Sequence, residues 1–511
     1  MTNLLWIKKI FTCILLMCTL VGLSSCDDYL SLRPSDKLTS DAFWRDARDA
    51  DAGISAAYSQ LEYSIDTWGF AEVKWPVEAY REDLVILGAD ATNYPNWVEL
   101  STFTYSNGNS QLLAYWDNNY TGISFCNQVL VKVPTIPEGK ISETERKLNL
   151  AEAHFLRAYY HLKLLLNFEK IIIRDKYIVD QKDLEENVAT REQAWSFIVN
   201  DLKAATSLPL RYDAENIGRA TSGAAYSYLG FSYLTMAYEQ ADKKEEYLLK
   251  ALEAFENVKG YALEKRFLSM FTGENKNCVE SVFELQFSMS TASGANYRTQ
   301  FHKWIAALEL GGWDEILPSD LLVETFKKEG KISSTGNYDT RMYETLFFKD
   351  DYYNDGTGKV FGKDYDDRFN IDKPVFRKFL PRSEEGMNQN YCAINIPLMR
   401  YANVILMKAE VLNELGRTSE AISLINEVRK VHGDMPKMQG STTSEVRSQI
   451  EHERMLEFPL ENWRWYDLRR WGKLEEAMKE NNRRNFSYEK HAFYPIPLVE
   501  LNSNKSIKNK K

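Results

Sequence analysis

The sequence predicts a mainly α-helical protein, with tetratricopeptide-like helix pairs forming a scaffold and a loop-rich variable subdomain containing a few short strands. Three observations predict this. Apolar residues recur at spacings of three and four in six separate segments, the signature of amphipathic helices. The segments come in neighbouring pairs, with small residues where two helices would face each other. Between the fourth and fifth segments, from about 262 to 395, glycines, a proline and short aromatic runs break the helical period.

From the N-terminus, Lys8 and Lys9 precede an apolar run from Ile10 to Leu23, followed by Ser24-Ser25-Cys26. This is the order of a secretory signal ending at a cleavage site. The run is shorter than the roughly 20 residues needed to span a bilayer core. Leu23-Ser24-Ser25-Cys26 also reads as a bacterial lipobox, in which the cysteine is acylated and becomes the first residue after cleavage. An ordinary signal peptide with a cysteine near its cut is the plainer alternative. Acyl chains contribute about 0.8 kcal/mol per buried methylene, and several chains on one residue make a durable tether. Residues 1–25 are expected to be removed and the remainder held by lipid at Cys26.

Six helices are predicted next, over 149–168, 191–206, 222–238, 246–258, 400–415 and 419–430. In the first, Ala153, Leu156, Tyr160 and Leu164 form one stripe. The last pair is closest to the tetratricopeptide register: Ala409 and Leu412 face the partner helix, Gly416 makes the turn, and Ala421, Ile425 and Val428 return. Leu229-Gly230 and Tyr233 followed by Ala251, Phe255 and Val258 repeat this more loosely, and 149–206 forms a further candidate pair around a long loop. An unrelated helical bundle would give similar spacings. Repeat units bury their apolar faces against one another, so three or more are expected.

In the interrupted stretch, Gly311-Gly312, Asp355-Gly356-Thr357-Gly358 and Pro381 separate aromatic runs such as Phe283 to Phe287 and Glu344 to Phe348, which are predicted as short strands among loops. Long irregular segments inside a compact protein are often functional, so ligand specificity is expected here. The predicted organisation is 1–25 signal, 26–261 N-terminal helical part, 262–395 variable insertion and 396–511 C-terminal part with the last helix pair.

The formal charge is −10, and removing Lys8 and Lys9 with the signal makes the remainder more acidic. Nucleic acid is excluded as an expected partner, because phosphate binding draws on clustered Lys and Arg. Cys126, Cys278 and Cys392 remain once the signal and anchor are set aside, an odd and widely spaced trio that suits neither a disulfide framework nor a zinc site. No phosphate-binding loop, Gly-x-Ser-x-Gly or His-Glu-x-x-His motif is present, so no catalytic residue and no cofactor are predicted. A glycoside hydrolase remains a less favoured reading, since it needs only two carboxylates about 5–10 Å apart across a cleft. The run Asp350, Asp351, Asn354, Asp355, Gly356 partly matches a calcium loop, but Tyr353 and Gly362 stand where carboxyl ligands are needed. A solvated acidic loop is the expectation, and no metal is predicted.

An ordered set of blocks resembles the SusD/RagB-like family of outer-membrane nutrient-binding lipoproteins. It starts with Cys26-Asp27-Asp28-Tyr29-Leu30 and Ala42-Phe43-Trp44, and continues in Trp116, Tyr120, Ile123 and Asn127. It then runs through Ala151 to Tyr160, Gly218 to Ala225, Arg400-Tyr401-Ala402 with Ala409-Glu410, Glu453-Arg454, Asp467 to Gly472, and Tyr494-Pro495-Ile496-Pro497. His154 and the lysine-rich tail depart from the family pattern. The resemblance implies tetratricopeptide-like pairs with a variable insertion before the last, and a cell-surface, non-catalytic receptor. It also implies a SusC-like TonB-dependent transporter as partner and an oligosaccharide or polysaccharide as ligand. Peptide capture, as in RagB-like members, or a purely scaffolding role are the alternatives.

A sugar receptor needs exposed aromatic faces for C–H surfaces beside planar hydrogen-bonding groups for hydroxyls. Tyr94, Asn96 and Trp97 supply both on a predicted loop, with Trp68 and Trp75 upstream. In the insertion, Tyr297, Trp304 and Trp313 form a second set. Most Trp and Tyr of a helical protein belong to its core, so each of these has a structural alternative. Trp463, Trp465, Tyr466 and Trp471 are read as structural.

Overall fold

The computed structural model describes residues 43–61, 75–290, 298–354, 358–369 and 372–507. Cys26, Trp68, Tyr297, Asp355 and Gly356 lie outside the described residues. The chain is mainly helical, as predicted. Its longer helices are α1 (Ala47–Ser59), α2 (Pro95–Thr102), α3 (Ser110–Lys132), α4 (Glu143–Asn167), α5 (Arg191–Ala205), α6 (Ser222–Glu239) and α7 (Lys244–Glu256). They continue with α8 (Asp320–Lys327), α9 (Tyr401–Glu414), α10 (Thr418–Gly433), α11 (Thr443–Glu457), α12 (Arg464–Arg470) and α13 (Leu474–Glu480). Among the described residues six short strands form three antiparallel pairs: β1 (Val85–Leu87) with β3 (Ile316–Pro318), β2 (Ser281–Leu285) with β6 (Ile396–Arg400), and β4 (Leu346–Phe347) with β5 (Val375–Phe376).

From α3 to α7 each helix packs on the next, and α9 and α10 continue the stack against α7 and α11. The starts are well specified. Ser142 with Glu145, Thr190 with Gln193, and Thr442 with Glu445 form capping boxes for α4, α5 and α11, each contributing about 1 kcal/mol. The box at Ser142 explains why α4 starts earlier than its apolar stripe suggested: the first turn is polar and solvent-facing. Small residues bring neighbours close. A Cβ at Gly230 of α6 would lie 2.4 Å from the Phe255 ring of α7, so the pair approaches where the sequence placed its small residue. Gly416 turns the chain between α9 and α10 at φ +77°, a left-handed conformation that glycine adopts without strain. His154, the departure noted in the fourth helix, lies with its Nδ1 2.6 Å from an Asp201 carboxylate oxygen that Arg157 also contacts, so the position still engages Asp201.

The interrupted stretch contains more helix than expected. Besides α8 it holds short helices over 301–305, 340–345, 365–368 and 384–388, each too brief to show a full apolar period. The strands near Phe283 and Leu346 are present. The β2–β6 pairing, Ser281 opposite Arg400 and Leu285 opposite Ile396, brings the two ends of the stretch together. In the acidic run, Asp350 caps the turn over 351–353 and pairs with Lys331 at 2.9 Å. Tyr353 is buried, its hydroxyl on the Leu346 carbonyl.

A buried charge network fastens this stretch to α10 and α11. Arg400 at the end of β6 meets Glu280, Glu457 and Glu461 at 2.6 to 2.7 Å, Arg341 meets Asp339, Glu453 and Glu457, and Lys378 meets Glu461. His432 of α10 stands between Glu457 (2.8 Å from Nδ1) and Glu280 (3.0 Å from Nε2). Both ring nitrogens face carboxylates, so the ring is held doubly protonated and has no lone pair to offer a metal.

Candidate binding site

The site begins with two glycines. Gly88 follows β1 and donates its N–H to the Glu315 carbonyl at 3.0 Å. A Cβ there would overlap the Asp314 carbonyl oxygen at 1.6 Å. Gly312 donates to Ala307, and a Cβ on it would lie 2.1 Å from the Ala306 carbonyl oxygen. The Gly88 contact and the β1–β3 pairing press residues 303–315 against 75–97, two segments more than 200 residues apart in sequence, while Gly312 lets the 303–315 turn close on itself.

Four predicted site residues meet at that joint. Tyr94 and Trp97 are stacked, ring centroids 4.1 Å apart and planes inclined by 27°. Trp97 also touches Trp304 at 5.1 Å, and Trp304 touches Trp75 at 4.9 Å. Tyr94 is 44% exposed and Trp97 half-buried, whereas Trp304 is 1% and Trp75 5% exposed. The expectation that Trp75 and Trp304 face a ligand is therefore corrected. They form the floor with Tyr80 and Phe301, because burying large rings against one another is worth more than leaving them in water. The Tyr80 hydroxyl donates to the Glu315 carbonyl at 3.3 Å, whereas the buried Trp75 indole N–H has no hydrogen-bond partner among the described residues.

The predicted loop at Tyr94 to Trp97 is also corrected. Pro95 opens helix α2, where a fixed φ and a missing N–H are no handicap, and Trp97 lies in its first turn. Asn96 spends one amide hydrogen on Ser110 at 2.7 Å while its carbonyl accepts from Asn109; it ties α2 to the start of α3. Because Tyr94 and Trp97 stack on each other, the surface they offer is the outer face of Tyr94 with the edge of Trp97, not a side-by-side pair. Trp313 is half-buried on the turn after Gly312, its N–H on the Lys303 carbonyl at 2.7 Å. It belongs to the same turn as the floor but is not part of the ring stack described above. Trp465 and Tyr466 are buried, and Trp471 donates its indole N–H to Glu410, in keeping with their structural reading.

Sequence reasoning missed the acidic edge. Glu315 is buried; burial first, then the adjoining Asp90 carboxyl, pushes its acid up to about 8. Asp90 accepts from Asn93 at 2.8 Å, on the turn just before Tyr94. At neutral pH Glu315 is thus held as a buried, protonated acid beneath the aromatic surface. No local spacing signals it, because Asp90 and Glu315 meet only through the β1–β3 register.

Comparison with known proteins follows this division of the site. A family model described as "SusD family" matches residues 279–510, which hold Trp304, Trp313 and Glu315. A second, described as "Starch-binding associating with outer membrane", matches residues 75–234, which hold Trp75, Tyr94 and Trp97. SusD-like protein P2 of Formosa agariphila is 26% identical, over 98% of this chain and 98% of its own. Among solved structures, a SusD superfamily protein from Bacteroides vulgatus superposes with a TM-score of 0.79 at 24% identity, covering 91% of this chain and 99% of that one. A laminarin-binding SusD-like protein superposes with a TM-score of 0.72 at 22% identity over 91% of this chain and 99% of that one.

Proposed function

Because this chain belongs to the SusD/RagB-like family, we propose that it is a non-catalytic receptor that captures an oligosaccharide or polysaccharide at the outer membrane and delivers it to a SusC-like TonB-dependent transporter. The exposed face of Tyr94, backed by Trp97 and the buried Trp75–Trp304 floor, carries the reading. A rigid aromatic face receives the C–H surface of a pyranose, and groups at its rim bind hydroxyls. Laminarin binding by a neighbour of the same fold and the starch-binding description of the matching model support a glycan over a peptide. Lipid on Cys26 tethers the protein, and no described helix is long and apolar enough to cross a membrane. In this reading residues 262–395 are the variable insertion and tune specificity from the Trp313 side, with Trp68 and Tyr297 as further candidates for contact.

Affinity electrophoresis against a panel of polysaccharides, with reducing ends assayed in parallel, tests the proposal. Retardation by a glycan without new reducing ends is expected, with a dissociation constant between about millimolar and micromolar, roughly −4 to −8 kcal/mol. Tyr94→Ala should weaken retention at least tenfold while leaving the fold intact, since Tyr94 is exposed; Trp97→Ala should weaken it further. Release of reducing ends would make the protein an enzyme. Failure of every glycan to retard it would favour peptide capture or scaffolding.

A further inference from the structure

A second, chemically different pocket lies where the C-terminus of α4, the start of α5, the end of α6 and the segment 466–493 meet. It has a volume of about 610 Å³ and shares no lining residue with the aromatic site. Its lining includes Arg191, Glu239, Tyr466, Arg469, Tyr488 and Phe493.

The two arginines are used unequally. Arg191 is neutralised: its Nε and Nη2 donate to the two oxygens of Glu239 at 3.0 and 2.6 Å. Arg469 is half-buried and has no carboxylate within ion-pair distance among the described residues. Its Nη1 donates to the carbonyls of Leu166 (2.6 Å) and Ala492 (3.3 Å), which leaves the Nε and Nη2 hydrogens without an acceptor among the described residues. Both guanidinium groups lie against Phe493, 4.7 and 4.3 Å from its centroid.

Of the other arginines lining the pocket, Arg191 is paired with Glu239 and Arg470 with Glu410 and Asp467, which leaves Arg469 as the arginine there with no carboxylate partner among the described residues. Arg81 and Lys163, outside the pocket, approach the same Tyr466 ring, at 5.4 and 5.5 Å against 5.9 Å for Arg469. Burial and the neighbouring positive charge of Arg191 push the Arg469 guanidinium down, to about 9, so its charge is held at a cost that an incoming anion would relieve. At the rim, Lys243 pairs with Glu192, Asp242 is exposed, and Tyr488, 44% exposed, presents an aromatic face.

We infer that this pocket is a second ligand site for a sugar bearing an oxyanion, with the carboxylate or sulfate held by the free Nε and Nη2 of Arg469 and the pyranose ring lying on Tyr488. A guanidinium fork matches the spacing of two oxyanion oxygens, and the pocket is large enough for a ligand of saccharide size.

Isothermal titration calorimetry of the purified chain with glucuronate, glucose 6-sulfate, inorganic sulfate and glucose tests this. Glucuronate or glucose 6-sulfate should bind at least tenfold more tightly than glucose, and the better of the two names the anion. Tyr488→Ala should weaken the charged sugar at least threefold while leaving inorganic sulfate unchanged. Arg469→Lys, which keeps the charge but loses the fork, should weaken both at least threefold; its melting temperature reports whether the carbonyl contacts survive. Binding of inorganic sulfate, which has no ring to lay on an aromatic face, should be weakened by Arg469→Lys and not by Tyr94→Ala, which separates this site from the aromatic one. Equal affinity for glucose and the charged sugars, or full affinity in both the Tyr488→Ala and Arg469→Lys variants, would overturn the assignment. Inorganic sulfate binding as tightly as glucose 6-sulfate would overturn its saccharide part.

Discussion

The imidazolium of His432 is the group whose removal should reveal most about how the stretch before β6 is fastened to α10 and α11. Burial works against its charge, but the carboxylates of Glu457 and Glu280, at 2.8 and 3.0 Å, outweigh it and lift the ring up to about 10. Unfolded histidine titrates near 6.5. The folded state therefore holds the proton more tightly. That contribution is fully present below about pH 6.5 and is lost as pH rises through about 10. Its ceiling is about 5 kcal/mol, from about 1.4 kcal/mol per tenfold in proton affinity, and about 3 kcal/mol is the working figure because Arg400 and Arg341 share the same carboxylates. His432→Gln should be about 3 kcal/mol less stable than the parent at pH 6. The difference should shrink toward zero by pH 10.5, because the parent has by then lost its cation too. Urea denaturation of both proteins at pH 6, 8 and 10.5 measures this, and taking the difference removes the titration of surface groups. A gap that stays constant across that range would refute the assignment of a charged His432, whatever its size.

Other perturbations follow from the aromatic site. Glu315 is an acid held up to about 8 by burial and by Asp90, so the folded state loses stability as pH climbs from about 4.5 through 8. Glu315→Gln, which keeps the shape without the charge, should be more stable than the parent above pH 8 by about 1–3 kcal/mol and equal to it below pH 4.5, as read by urea denaturation; equal stability at pH 9 would show that the carboxyl pair carries no strain. Gly312→Ala drives a methyl group toward the Ala306 carbonyl and should destabilise by about 1–3 kcal/mol while weakening glycan retention, because the turn must open away from the Trp304 floor. An unchanged melting temperature would show that the turn has room.

Much of the scaffold could be read from local pattern. The segments predicted as six helices are helices, and Gly416 and Gly230 do the work expected of them, because a helix whose stripe faces one neighbour records that neighbour in its own periodicity. The short helices between 301 and 388 were not legible, since four to six residues cannot display a period. Helix α2 was missed because Pro95 reads as a loop residue until its place at the first helical position is known. Among the candidate aromatics, sequence could not separate Tyr94, which is exposed, from Trp75 and Trp304, which are buried.

What the sequence determined by itself is therefore what neighbours along the chain decide: helical content, the turn at Gly416, and the ordered blocks that carry the family resemblance. What only the tertiary structure decided is what distant segments decide together. The β1–β3 register places Asp90 against Glu315 and Trp97 against Trp304. The fold of α4 onto residues 466–493 sets Arg469 on backbone carbonyls, with no carboxylate partner among the described residues. An aromatic ring becomes a surface or a floor, and an arginine a structural brace or a free cation, according to which partners arrive across the fold. That pairing is set by the burial of whole faces, a property of the assembled core that no short window of sequence contains.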